Sequence, residues 1–322
     1  MTSNITGPPW PTNLQNPEHA TSRTHSEQSK ESTMNPRLTP FMVIALALSA
    51  PTQLRAAAAE EAFFACGSNQ VVLYGGAPEG FKPGWSWKSD DPAFAKIDEC
   101  KVVDDGATLL VTASTGGVAI VERKDGGMRF RTDAFMAHSA ELLPLGRLAV
   151  AVSTHDTGNR LVVYDPPRRD PIITIPFYAA HGVLWDKKRQ RLYASGGDQL
   201  VEYGLGDWSG ASPALTQMAS TRIPGRAGGH DLSRLDDDHL LQTTTDGVWV
   251  FDQATGQFAP FEPLNALRDV KSVDVERNSG RIVYQKATTS WWAHEARLAR
   301  PDAAVPTPGI RLYKVRWLHS AR

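Results

Sequence analysis

After residue 60 the chain alternates short apolar runs with turns built from Gly, Asp, Asn, Ser and Pro. Six segments share one form: an apolar strand, a small-residue turn, then a strand ending in an aromatic or charged side chain. They are 63–74 (FFACGSNQVVLY), 109–122 (LLVTASTGGVAIVE), 148–165 (LAVAVSTHDTGNRLVVYD), 192–203 (LYASGGDQLVEY), 240–252 (LLQTTTDGVWVFD) and 282–286 (IVYQK). The last pairs with 310–313 (IRLY) across an insertion, 287–309. Alternation around turn residues makes each a two-stranded hairpin. Five hairpins follow a further strand, at 98–105, 138–146, 181–188, 230–238 and 271–280, and several precede a fourth, as at 84–88, 172–177 and 217–223. No segment after residue 60 carries a long helical period.

Four antiparallel strands recurring about every 44 residues is the pattern of an all-β propeller. The expected architecture is six four-stranded blades around a central channel, with five or seven as alternatives. A β-sandwich or jelly roll accounts for the alternation but not for the recurrence. The chain enters on what reads as the second strand of a blade and finishes on 310–318 (IRLYKVRWL). One blade is therefore expected to be completed from both ends.

Composition agrees: 26 Gly, 22 Pro and 9 Trp suit a turn-rich β protein. A net charge of −1 supplies no field that would draw the chain to nucleic acid or to an anionic membrane.

The first 59 residues read differently. Residues 1–33 are rich in Ser, Thr, Asn, Gln and Pro and hold too little apolar surface to order, as expected of an over-extended start before Met34. Residues 34–59 combine Arg37, the apolar run 38–50 (LTPFMVIALALSA) and an Ala-rich stretch at 56–59, the layout of a cleaved secretory signal. The run is short of the roughly 20 residues a membrane span needs. The reading is a single propeller domain over 60–322, exported to the periplasm or beyond, with no membrane contact after cleavage. Cys66 and Cys100 are the two cysteines. They fall in neighbouring repeats, so export permits a bridge, but two buried free thiols are the simpler expectation.

The repeat register singles out candidate chemistry. His138, His181 and His230 occupy the first position of the first strand in successive units, at spacings of 43 and 49 residues. Lys271 takes that position 41 residues after His230, and Asp98 takes it 40 residues before His138. First strands line the channel of a propeller, so these five side chains are expected in a ring at one mouth. Three imidazoles and a carboxylate, with Asp98 as fourth ligand or orienter, match a zinc, manganese or nickel site with open positions. Such a metal would polarise a carbonyl or carboxylate. Without a metal, Lys271 and protonated histidines form a cationic cup for an anionic small molecule or saccharide, with one histidine as general acid or base. A third reading is a polar, water-filled channel with no ligand.

Other motifs carry less. His155 and Asp156 sit in a hairpin turn. Glu141 reads as a polar partner between blades unless a bulge re-aims it. Trp85, Trp87, Trp185 and Trp249 lie on strands and are expected to fill gaps between blades. Trp291 and Trp292, in the insertion, can stack on sugar rings or pack over the mouth. Walker, Rossmann, GxSxG and HExxH patterns are absent from the sequence.

The segments 138–144 (HSAELLP), 180–186 (AHGVLWD), 228–231 (GGHD), 270–273 (VKSV) and 313–317 (YKVRW) resemble, in order, a family of secreted bacterial β-propellers catalogued as a domain of unknown function. The resemblance covers most of 62–318 and implies fold and export, not an activity. A looser likeness, confined to the histidine ring, is to metal-dependent propeller lyases. It implies lyase or hydrolase chemistry on an acidic saccharide or other carboxylate, with His138, His181, His230 and Lys271 as the catalytic set. The rival is a non-catalytic module binding a ligand or a protein.

Overall fold

The computed structural model describes residues 61–77, 80–225 and 228–319. The leader and signal expected over 1–59 lie outside the described residues. Among the described residues, twenty-four strands form six four-stranded antiparallel sheets. Blade I comprises β1 (Glu61–Gly67), β2 (Gln70–Gly76) and β3 (Lys82–Lys88), completed by β24 (Leu312–Trp317). Blade II holds β4 (Ile97–Val103), β5 (Thr108–Ala113), β6 (Gly117–Glu122) and β7 (Met128–Asp133). Blade III holds β8 (Ala137–Leu142), β9 (Leu148–Val152), β10 (Arg160–Tyr164) and β11 (Pro171–Pro176). Blade IV holds β12 (Ala180–Asp186), β13 (Arg191–Gly196), β14 (Gln199–Gly206) and β15 (Ala214–Arg222). Blade V holds β16 (Asp231–Arg234), β17 (His239–Thr243), β18 (Val248–Asp252) and β19 (Gln257–Pro260). Blade VI holds β20 (Val270–Val275), β21 (Ile282–Lys286), β22 (Glu295–Ala299) and β23 (Ala303–Pro306).

The first strands β4, β8, β12, β16 and β20, with β24, contact one another in sequence and close the ring. The fold is a six-bladed β-propeller. Blade I is closed from both ends, as the phase of the repeat predicts: β24 is its innermost strand, antiparallel to β1 with Phe63 opposite Trp317.

The hydrophobic pattern follows from position in the blade. Middle strands face a neighbouring blade on both sides, so β9 (LAVAV) and β5 (TLLVTA) are buried throughout and read as continuous runs rather than alternation. Outermost strands meet water: β15 is mostly exposed, and β11 carries Pro at both ends, which blunts a sheet edge. Six hydrophobic clusters form the core, each shared by two adjacent blades. Trp87 and Trp185 are buried in two of them and Trp85 packs against one, as expected of interblade fillers.

One expectation is corrected. Cys66 and Cys100 are not free thiols but a disulfide joining β1 of blade I to β4 of blade II. Those strands abut, and the two Cα atoms stand 6.0 Å apart, within bridging range.

Candidate functional site

Each inner strand enters the channel through a local irregularity. In β4 the pairing with β5 passes from Ile97 to Glu99 and skips Asp98. The same skip occurs at His138 in β8, His181 in β12 and Lys271 in β20. His230 precedes β16: its N–H bonds the Thr243 carbonyl at 3.0 Å although Thr243 is paired with Asp231. Such bulges set two residues against one and re-aim side chains. The expected five-membered ring is therefore real as a set of equivalent positions.

It has a sixth member that the sequence reading missed. Tyr313 is the residue skipped between β24 and β1. It follows Lys271 by 42 residues, well within the repeat. The insertion obscured that spacing by making IRLY look like part of a late hairpin.

A second device fixes the imidazoles. Two residues before the ring position the backbone turns left-handed, at Met136 (φ 66°), Ala179 (φ 48°), Gly228 (φ 133°) and Asp269 (φ 61°). The carbonyls of Met136 and Ala179 then accept from Nδ1 of His138 and His181, each at 2.8 Å. This fixes the tautomer and leaves both Nε2 atoms unprotonated, the arrangement that orients metal-ligating histidines elsewhere. His230 differs: its Nε2 lies 2.8 Å from Nζ of Lys271, and its buried Nδ1 has no partner among the described residues.

The ring centroids of His138 and His181 are 4.4 Å apart, and those of His181 and His230 are 5.8 Å apart. His138 also meets Tyr313 edge-on at 6.2 Å. Asp98 is buried and accepts a short hydrogen bond from the Ser114 N–H. As the side chains stand, no group of three His, Cys, Asp or Glu among the described residues is drawn together at metal-ligand spacing.

Burial governs the electrostatics. It pushes His138 down to about 4, with Lys314 adding to the effect, and holds His181 and His230 well below the usual imidazole range. His138 reinforces this at His181, as Lys271 does at His230. Burial also lowers Lys271, raises Asp98 to about 7 and raises Tyr313 well above the phenol range. The three imidazoles are thus neutral at pH 7. This departs from a cup of protonated histidines and leaves the positive charge on Lys271.

Beneath the ring the channel is plugged by charge. Lys314 Nζ lies 3.2 Å from Glu99 and 3.1 Å from Asp231, while Arg316 bonds the same two carboxylates at 2.8 and 2.6 Å. Ser139 donates to Glu99 at 3.1 Å. At the corresponding place in blade IV stands Gly182, where a Cβ would come 2.7 Å from Cβ of Leu232. Glycine there lets blades IV and V approach.

Of the remaining motifs, Glu141 is a partner between blades, 2.9 Å from Lys101. His155 is exposed and meets Phe135 edge-on, with ring centroids 4.5 Å apart. The Trp pair divides. Trp292 lies against Arg311 at 3.9 Å, while the exposed indole of Trp291 sits 5.1 Å from the Lys271 ammonium. Trp291 therefore belongs to the histidine mouth. Phe135 and Tyr178, three residues before His138 and His181, are also exposed, but Phe135 meets His155 and Tyr178 lies over Gly197 of blade IV.

Residues 87–321 match the model of a family of unknown function, DUF6528. The chain belongs to this family. No curated protein matches the sequence. Among solved structures, this DUF6528 chain is similar to one in the crystal structure of a nidogen/laminin complex, at 12% identity and a TM-score of 0.58, over 81% of this chain and 100% of that one. It is also similar to a protein of unknown function from Bacteroides caccae, at 12% identity and a TM-score of 0.57, over 80% and 98%. At such identity these likenesses bear on the fold alone, and both agree with a propeller.

Proposed function

We propose that this DUF6528 protein is exported and that its histidine mouth binds a divalent metal (zinc, manganese or nickel) through His138, His181 and His230, serving lyase or hydrolase chemistry on an acidic saccharide or related carboxylate. The observation that carries this reading is the pair of Nδ1–H bonds to Met136 and Ala179, which leaves two neutral imidazoles with Nε2 lone pairs. With metal–nitrogen bonds of about 2.0–2.1 Å, imidazoles at right-angled to tetrahedral positions have ring centres roughly 4.5–5 Å apart. The observed 4.4 and 5.8 Å bracket that range. A bound metal supplies polarisation of a carbonyl or carboxylate. The chain's own groups supply the rest: Lys271 attracts the carboxylate, Asp98 carries a proton near neutrality, and Trp291 offers a face for a sugar ring. The disulfide and the signal-like 34–59 favour an oxidising, exported setting.

One observation favours a second reading. Lys271 occupies the Nε2 of His230, so the same mouth can serve as a metal-free anion site in a non-catalytic module. Elemental analysis of untagged protein, beside a His138/His181/His230 triple-alanine variant with unchanged circular dichroism, decides between them. About one equivalent of metal in the wild type and none in the variant is expected. Absence from both, even after incubation with Zn²⁺, Mn²⁺ and Ni²⁺, overturns the metal reading in favour of the second.

A further inference from the structure

A cavity of about 330 Å³ lies not at the histidine mouth but at the other end of the channel, lined by the C-terminal ends of the inner strands and the turns that follow them. That volume is at the small end of the range for small-molecule sites. Its floor is electrically settled. Lys101 bonds Glu141 and the Val183 carbonyl, Arg316 is held by Glu99 and Asp231, and Asp274 accepts the N–H groups of Val275 and Trp317. Leu184, Trp185 and Leu232 make an apolar wall.

The rim is not settled, and its charges are sorted by blade. Asp104 and Asp105, in the turn after β4, are exposed and have no ion-pair partner among the described residues. Lys187 of blade IV and Arg277 of blade VI are likewise exposed and without an ion-pair partner among the described residues. Between them Arg234 of blade V bonds the Trp185 carbonyl at 2.9 Å and stands 3.8 Å from Asp186. In a six-bladed ring blade V faces blade II. The cationic arc over blades IV, V and VI is therefore centred opposite the acidic turn of blade II, and the apolar wall of Leu184, Trp185 and Leu232 lies on blades IV and V, on the cationic side.

We infer that this mouth binds a short zwitterionic peptide, its ammonium end against Asp104 and Asp105 and its carboxylate end against Arg234, Arg277 and Lys187. The opposed arcs call for one positive and one negative terminus on the same small molecule. Two or three residues span at most about 7–11 Å when extended, in keeping with a cavity of this size, and an aliphatic side chain suits the wall. Charge-assisted bonds from guanidinium to carboxylate supply the stronger end. The site is separate from the histidine mouth and stands whether or not that mouth holds a metal.

The test is isothermal titration of the purified full chain with the tripeptide Ala-Leu-Ala in three forms: free, N-acetylated and C-amidated. The free form is expected to saturate one site, and each blocked form to bind at least about tenfold more weakly, the effect of losing one charge-assisted contact. Asp105→Asn should reproduce the loss caused by acetylation and Arg277→Gln that caused by amidation, with little further loss on the matching blocked peptide. Both substitutions are at exposed positions, and Asn tolerates the left-handed backbone of Asp105 (φ 50°). Failure of the free peptide to saturate a site, or equal binding of all three forms, overturns the proposal.

Discussion

Nζ of Lys271 lies 2.8 Å from Nε2 of His230, with the indole of Trp291 5.1 Å from the same ammonium. The contact sets a cation where a metal ligand would otherwise point. Removing that charge lessens repulsion of an incoming metal, an interaction worth about 4 kcal/mol per unit of metal charge at 4 Å under an effective dielectric of 20. Lys271→Gln is therefore expected to tighten zinc binding at least tenfold in competition with a chromogenic chelator, while weakening capture of a simple carboxylate such as galacturonate. Loss of zinc binding in this variant would mean that Lys271 orders the site rather than opposing the metal.

Asp98 gives a dependence on pH. Burial raises its carboxyl from 3.8 to about 7, so the folded chain keeps a proton that the unfolded chain releases near pH 4. Between those values the unfolded state binds fewer protons, and this residue's contribution to stability falls as pH rises. Asp98→Asn can still accept the Ser114 N–H and cannot ionise. Urea unfolding of the two proteins should diverge progressively in favour of the variant from about pH 4 to 7, by up to about 3–4 kcal/mol, and run parallel above. Parallel curves throughout would show that the carboxyl titrates normally.

The axial cluster of Glu99, Asp231, Lys314 and Arg316 is buried, with only Arg316 reaching the cavity at the far mouth. Arg316→Met leaves two buried carboxylates facing one lysine, and breaking such an arrangement from one side costs about 3–5 kcal/mol. Denaturant midpoints should show it. A change below 1 kcal/mol would mean that water reaches the cluster and screens it.

The bridge between Cys66 and Cys100 closes a loop of 34 residues between two blades. Chain-entropy estimates for a loop of that length are about 3–4 kcal/mol. A reductant is expected to lower the melting temperature of the wild type and to leave a Cys66→Ala/Cys100→Ala variant unmoved. An equal response of the two would show that the bridge is dispensable.

Much of this architecture is legible because a propeller repeats its chemistry. The small-residue turns date each hairpin, and counting back from them places Asp98, His138, His181, His230 and Lys271 on one level. Tyr313 escaped because its strand belongs to the first blade and follows an insertion. The disulfide was not legible, since separation along the chain says nothing of the distance between β1 and β4. The charge cluster was equally hidden: Glu99 and Asp231 are neighbours of ring residues, and only the bulge reveals that consecutive side chains share the channel. The cavity at the far mouth arises from strand ends whose charges, read singly, look like ordinary turn residues.

Strand β24 is synthesised after the other twenty-three, yet it is the innermost strand of the first blade. It brings Tyr313 to one mouth and Lys314 and Arg316 to the axis, while Arg316 and Trp317 help line the cavity at the other. A nascent chain that has already made blades II to VI is therefore an open arc with an unpaired edge on β1 and neither mouth assembled. Docking of the last strand is the moment at which the molecule acquires its ring and both its candidate sites. A protease that clips residues 312–319 would take all three away in one cut.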